Sequence, residues 1–129
     1  MIYLDINDII DLHNEIIKEF GGLSGIKDKQ QLESILQHIK NDEYYSNIVQ
    51  KATHLFFGII KFHCFNDGNK RTAIGSLGMF LEINNFKIPS LFVKLEDIAI
   101  GVAKNEITKD ELKKIIKSII ISFGYNINS

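Results

Sequence analysis

One cysteine, Cys64, is too few for an intramolecular disulfide framework and suits a reducing compartment. One proline, Pro89, and the lack of any low-complexity stretch leave nothing with the character of an interdomain linker, so residues 1–129 are expected to form one domain. No apolar run approaches the roughly 20 residues that span a bilayer. The segment Met1-Ile2-Tyr3-Leu4-Asp5 also lacks a basic stretch followed by an apolar one. A cytoplasmic, soluble protein with no membrane partner is therefore expected. The formal net charge is only -1, so no whole-molecule field draws the chain to nucleic acid, and no direct nucleic-acid partner is expected. Any anion must be held locally. Arginine is almost missing as well: of 15 Lys and Arg side chains only Arg71 is a guanidinium, the group that grips phosphate oxygens with two parallel hydrogen bonds.

What is present is ordinary globular composition, 45% hydrophobic and 24% charged, which excludes a disordered or fibrous chain. A chain of 129 residues buries roughly two-thirds of its unfolded surface, enough for its own core. Three- and four-residue apolar spacing predicts helices almost throughout. Asp5 caps a first helix carrying Ile6, Ile9, Ile10, Leu12, Ile16, Ile17 and Phe20, and Gly21-Gly22 ends it. Asp28 with Gln31 has capping-box spacing for a second helix carrying Leu32, Ile35, Leu36 and Ile39. A third is expected from about Ser46 to Phe62, and a fourth from Lys70 to Asn84, apolar nearly all round and hence central. Phe86 to Val93 is expected to be extended, Leu95 to Lys104 a short helix, and Thr108 with Glu111 the capping box of the last. The fold class is all-α, about six helices around a buried central one.

The chemistry concentrates in His63-Cys64-Phe65-Asn66-Asp67-Gly68-Asn69-Lys70-Arg71-Thr72-Ala73. Gly68 and Asn69 fall at the start of the fourth helix, where the first-turn N–H groups are unpaired and carry partial positive charge, a ready seat for phosphate. Gly68 has no side chain to block the approach, and Asn69 can cap the helix or donate to an oxygen. Asp67 would repel a bare phosphate, but suits Mg²⁺ shared with phosphate oxygens. Lys70 and Arg71 add cations within one turn, where phosphoryl transfer accumulates charge. His63 stands at the end of the preceding helix, and imidazole titrates near neutrality, so it can take a proton from an attacking hydroxyl. Together these residues describe group transfer from a nucleotide to a hydroxyl.

Each of these residues also has a blander role open to it. Phe65 is expected to anchor the loop on the core and Cys64 to be a small buried filler rather than a nucleophile paired with His63. Asp67-Gly68-Asn69 alone would be a turn and a cap. His13, His38, His54 and His63 lack metal-site spacing, so no zinc is expected. Lys109, Lys113 and Lys117 form a four-residue ladder that Glu106, Asp110 and Glu111 dilute, which favours a solvated face over a nucleic-acid surface.

The motif resembles the signature of the Fic/Doc superfamily, H-x-F-x-(D/E)-G-N-G-R-x-x-R, at His63, Phe65, Asp67, Gly68, Asn69 and Arg71. Lys70 stands where nucleotidyl-transferring members have a second glycine, and Ile74 where they have a second arginine. This variant is similar to the Doc, or death-on-curing, branch, as are Leu12-His13, Gly21-Gly22-Leu23 with Gly25, and Leu32-Glu33-Ser34. The resemblance implies a Fic-type helical fold with a flap at Gly21 to Lys27, ATP with Mg²⁺, His63 as base, Asp67 on the metal, and Asn69 and Arg71 on phosphates. Catalytic roles fall to His63, Lys70 and Arg71, and nucleotide contacts to Gly68, Asn69, Lys70 and Arg71. It further implies a toxin kinase acting on a threonine of elongation factor Tu, blocking translation, with AMP transfer as the second chemistry and a catalytically inactive binding module as the third. No Ser or Thr has Glu four residues later, so the family's inhibitory pattern (S/T)-x-x-x-E-(G/N) is missing. Restraint is expected from a separate antitoxin.

Overall fold

The computed structural model describes residues 1–127. Among them are six α-helices and, apart from one isolated antiparallel bridge between Ile26 and Phe65, no β-structure. Helix α1 (Ile6–Phe20) opens on a full capping box, Asp5 accepting from the Asp8 N–H and Asp8 returning to the Asp5 N–H. Helix α2 (Lys29–His38) opens on Asp28, which accepts from the Gln31 N–H. The box closes no further there, because the Asp28 N–H already donates to the Cys64 carbonyl at 3.1 Å. Asn47 caps α3 (Ile48–Lys61), and Thr108 with Glu111 boxes α6 (Lys109–Ser122). Helix α4 spans Asn69–Ile83 and α5 spans Leu91–Ala103, each following a residue in the left-handed region, Gly68 and Ser90, with no side-chain cap. No helix among the described residues is long and apolar enough to cross a membrane.

Three expectations change. Val93 and its neighbours from Leu91 onward are helical, not extended, so α5 begins four residues before Leu95; buried Leu91 is the first member of a stripe continued by Leu95, Ala99 and Val102. The deepest helix is α3 rather than α4. It packs against α2, α4, α5 and α6, and only Gln50, Phe57 and Lys61 of its residues escape full burial. Its polar side chains hide this from the sequence. Lys51 is buried because its ammonium donates to the Ile39 carbonyl and to Asp42, and the Thr53 hydroxyl donates to the Val49 carbonyl one turn back. The expected solvated lysine face is also only partial: Lys109 is half-buried between the Tyr45 and Phe57 rings.

The Lys109 amine donates to Nδ1 of His54 at 2.9 Å. Burial, helped by the Lys109 charge and by His38, pushes the His54 imidazole down from 6.5 to about 4. The unfolded chain then binds the proton more readily than the native one, so this group's stabilisation is complete above about pH 6.5 and disappears as the pH falls towards 4. Thermal denaturation between pH 7.5 and pH 4 should show an acid loss of about 2–3 kcal/mol from this group. A His54→Gln variant, which takes up no proton, should flatten that slope.

Candidate active site

Nine residues, His63 to Arg71, join α3 to α4 and begin the latter, and a buried pair inside the loop fixes its shape. Cys64 and Phe65 are both essentially inaccessible to solvent. Burial drives the Cys64 thiol up to about 12, so it is a neutral filler, as expected, and Phe65 is the expected anchor. His63, by contrast, is exposed and turned into a cleft, with φ at 47°, a conformation uncommon outside glycine. Adjacent histidine and cysteine therefore point in different directions.

The Asn69 side chain does not cap its own helix. Its side-chain oxygen accepts the Phe65 N–H, and its side-chain amide donates to the Phe65 carbonyl, each at 3.0 Å. The carboxamide is committed to the loop, and what Asn69 offers a ligand is its main-chain N–H in the first turn of α4. Since Gly68 supplies no cap, that first turn stays open. Lys70 and Arg71 are exposed beside it, the Arg71 guanidinium lying 4.2 Å from the centroid of the Phe20 ring at the end of α1.

Asp67 is held from three sides. Its Oδ2 accepts the Leu23 N–H at 3.2 Å and its Oδ1 accepts the Gly68 N–H at 2.9 Å. Those two bonds, Leu23 first, keep its carboxyl below the usual carboxylate range. Its own carbonyl accepts from Nε2 of His13 at 2.7 Å, which places a proton on that nitrogen. The His13 ring stacks on Phe65 with centroids 3.9 Å apart. In the sequence His13 is only half of the Leu12-His13 resemblance and one of four histidines without metal-site spacing. The available signal was its place one turn after Ile9 on the buried face of α1.

The segment from Gly21 to Asp28 is stitched along this loop. The Lys27 N–H donates to the Cys64 carbonyl, the Asn66 N–H to the Gly25 carbonyl, and the Asn66 side chain to the Ser24 carbonyl. In this register the main-chain N–H and carbonyl of Ile26 face away from Phe65. Gly22, at φ 114°, lets the segment pass Asp67: a Cβ there would sit 2.7 Å from Oδ2.

The cleft encloses about 370 Å³ and brings together every predicted site residue: His63, Asp67, Gly68, Asn69, Lys70 and Arg71. Ile74, at the position of the absent second arginine, lines it too. Its other wall, Phe92, Glu96, Ile100 and Ala103 of α5, was not foreseen. Gly22→Ala is strained at this φ and crowds Asp67, so it should displace the carboxylate and lower any metal-dependent activity at least about tenfold, with a stability loss of about 1–2 kcal/mol in chemical denaturation. His13→Ala removes a buried ring and orphans a carbonyl, so it should cost about 2–4 kcal/mol in chemical denaturation.

A family model described as the Fic/DOC family matches residues 3–81. The chain is also 29% identical over 123 residues to a protein of Escherichia phage P1 named "Protein kinase doc", covering 92% of this chain and 96% of that one. An anchored histidine loop, an uncapped glycine-led helix start and a glycine-rich segment tied to Asp67 thus accompany the sequence match, and the chain belongs to the Fic/DOC family.

Proposed function

We propose that this protein is a Doc-like toxin kinase that moves the terminal phosphoryl group of ATP to a hydroxyl of a target protein. The observation that carries the reading is the convergence of His63, the open first turn of α4, Lys70 and Arg71 on one cleft. The match to a phage protein named a kinase supports the same chemistry.

Asp67 fits a magnesium ion: it is exposed, kept ionised by two N–H donors, and each oxygen still has a free lone pair. When bound, Mg²⁺ would neutralise charge on the phosphate oxygens. The main-chain N–H groups of the first turn of α4, from Asn69 on, seat the phosphates, and Arg71, pre-oriented on Phe20, presents its fork of donors to them. The attacking hydroxyl oxygen bonds to the γ-phosphorus as the bond from that phosphorus to the β–γ bridging oxygen breaks. ADP leaves, and His63 takes the hydroxyl proton. Lys70 puts bulk and charge where glycine would let a diphosphate lie against the backbone, and Ile74 offers no second guanidinium. Both features favour phosphate over AMP as the group transferred.

The outward main-chain groups of Ile26 suit an extended target segment, added by strand pairing beside His63. By family resemblance the target is a threonine of elongation factor Tu, modified in the cytoplasm with loss of translation. An antitoxin that folds upon the protein supplies the restraint that the chain's own sequence lacks.

Incubating the protein with ATP, magnesium and elongation factor Tu and weighing the product tests this directly: a gain of about 80 Da is phosphate, whereas about 329 Da is AMP and no gain refutes transfer to that target. His63→Ala should lower the transfer rate at least about 100-fold while nucleotide binding persists. Equal loss of binding would remove His63 from the role of base.

A further inference from the structure

Lys51 and Lys109 are both drawn out of solvent, and they are partnered in opposite ways. Lys51, fully buried, gives its ammonium to the Ile39 carbonyl and the Asp42 carboxylate. Burial alone would lower its pKa, but Asp42 and the Tyr3 hydroxyl together raise it. Lys109, half-buried at the first position of α6, has no carboxylate partner among the described residues. Its Nζ meets an imidazole instead, Nδ1 of His54 at 2.9 Å. His54 supplies no counter-charge, because it is kept neutral, and its other ring nitrogen is buried without a partner.

The remaining surroundings of Lys109 also disfavour an ammonium. Burial strips its water and holds its pKa below the usual lysine value, although Asp110 pulls the other way. The positive end of the α6 dipole opposes a cation, and Lys113 adds a like charge one turn on. The Tyr45 and Phe57 rings, with centroids 5.3 and 5.8 Å away, lie near the limit of cation–π attraction and offset little of this. The same amine borders a recess of about 200 Å³, beside Tyr44, Gln50, Thr53 and Lys113. None of these residues lines the motif cleft. An amine that sheds its proton readily, is held at a fixed point and is open on one side has the character of a nucleophile. We infer that Lys109 is an acyl-acceptor site, modified by a small acyl phosphate that Lys113 draws to the recess. The Nζ lone pair bonds to the acyl carbon as the bond from that carbon to the phosphate oxygen breaks. Phosphate leaves with the electron pair and takes the proton that the nitrogen sheds, and an uncharged amide remains. The reaction needs neither ATP nor His63, so it is separate from phosphotransfer to a target.

Incubating the folded protein with acetyl phosphate at pH 7 and mapping acetylated peptides by mass spectrometry compares the lysines within one sample. Lys109 should react at least about fivefold faster than the exposed Lys114 and Lys117 of the same helix, and Lys51 should react slowest. In guanidinium chloride the rates at Lys109, Lys114 and Lys117 should converge. Lys113→Gln should slow acetylation of Lys109 by acetyl phosphate more than by the uncharged donor N-acetylimidazole. Labelling of Lys109 no faster than that of Lys114 and Lys117, or a preference that survives guanidinium chloride, would overturn the assignment. Equal effects of Lys113→Gln on both donors would overturn the part given to Lys113.

Discussion

The site depends on where one carboxamide spends its hydrogen bonds. Asn69 stands at the first position of α4, yet its side chain turns back to take both main-chain groups of Phe65. Had it capped its own helix, the N–H groups of the first turn would be partly satisfied and the loop would lose its closure. Because the loop is closed from within, Gly68 can lead α4 without a cap, and the helix end keeps its partial positive charge for a ligand. Phe65, in turn, is held by the core below and the His13 ring beside it. The exposed chemistry of His63, Lys70 and Arg71 thus rests on buried neighbours that perform none of it.

Charge is distributed to match. The protein is nearly neutral overall, and its sole arginine and one lysine meet at the helix start. Asp67 lies between those cations and the flap, with its ionised form favoured by donors and not by burial. An anion is thereby attracted to one end of the cleft only. The other end, along α5, is apolar apart from the Glu96 carboxylate, so the two ends of the cleft differ in both polarity and sign of charge.

Local signals in the sequence were reliable where a few adjacent residues decide the outcome. Asp5 with Asp8 and Thr108 with Glu111 start helices because the cap needs only residues three apart. The His63 to Arg71 cluster was legible for the same reason. Features set by distant partners were not. Lys51, Thr53 and His54 made α3 look one-sided, although an ion pair with Asp42, a back-bond to Val49 and contacts with Tyr45 and Lys109 let all three sink into the interior. The onset of α5 at Leu91 was obscured by the apolar residues around Pro89, whose alternation imitates a strand. His13 reads as one polar residue on an apolar face until Asp67, 54 positions away, supplies its acceptor.

The Gly21 to Asp28 segment and the Asp67 carboxylate share a single hydrogen bond, from the Leu23 N–H to Asp67 Oδ2. One bridge and a few main-chain bonds hold that segment, so its displacement is cheap compared with opening the core. Whatever seats or lifts the flap therefore also turns the Asp67 carboxylate. The position of the flap and the orientation of that carboxylate are thermodynamically linked, so a ligand that favours one setting of either is felt at the other by the same factor.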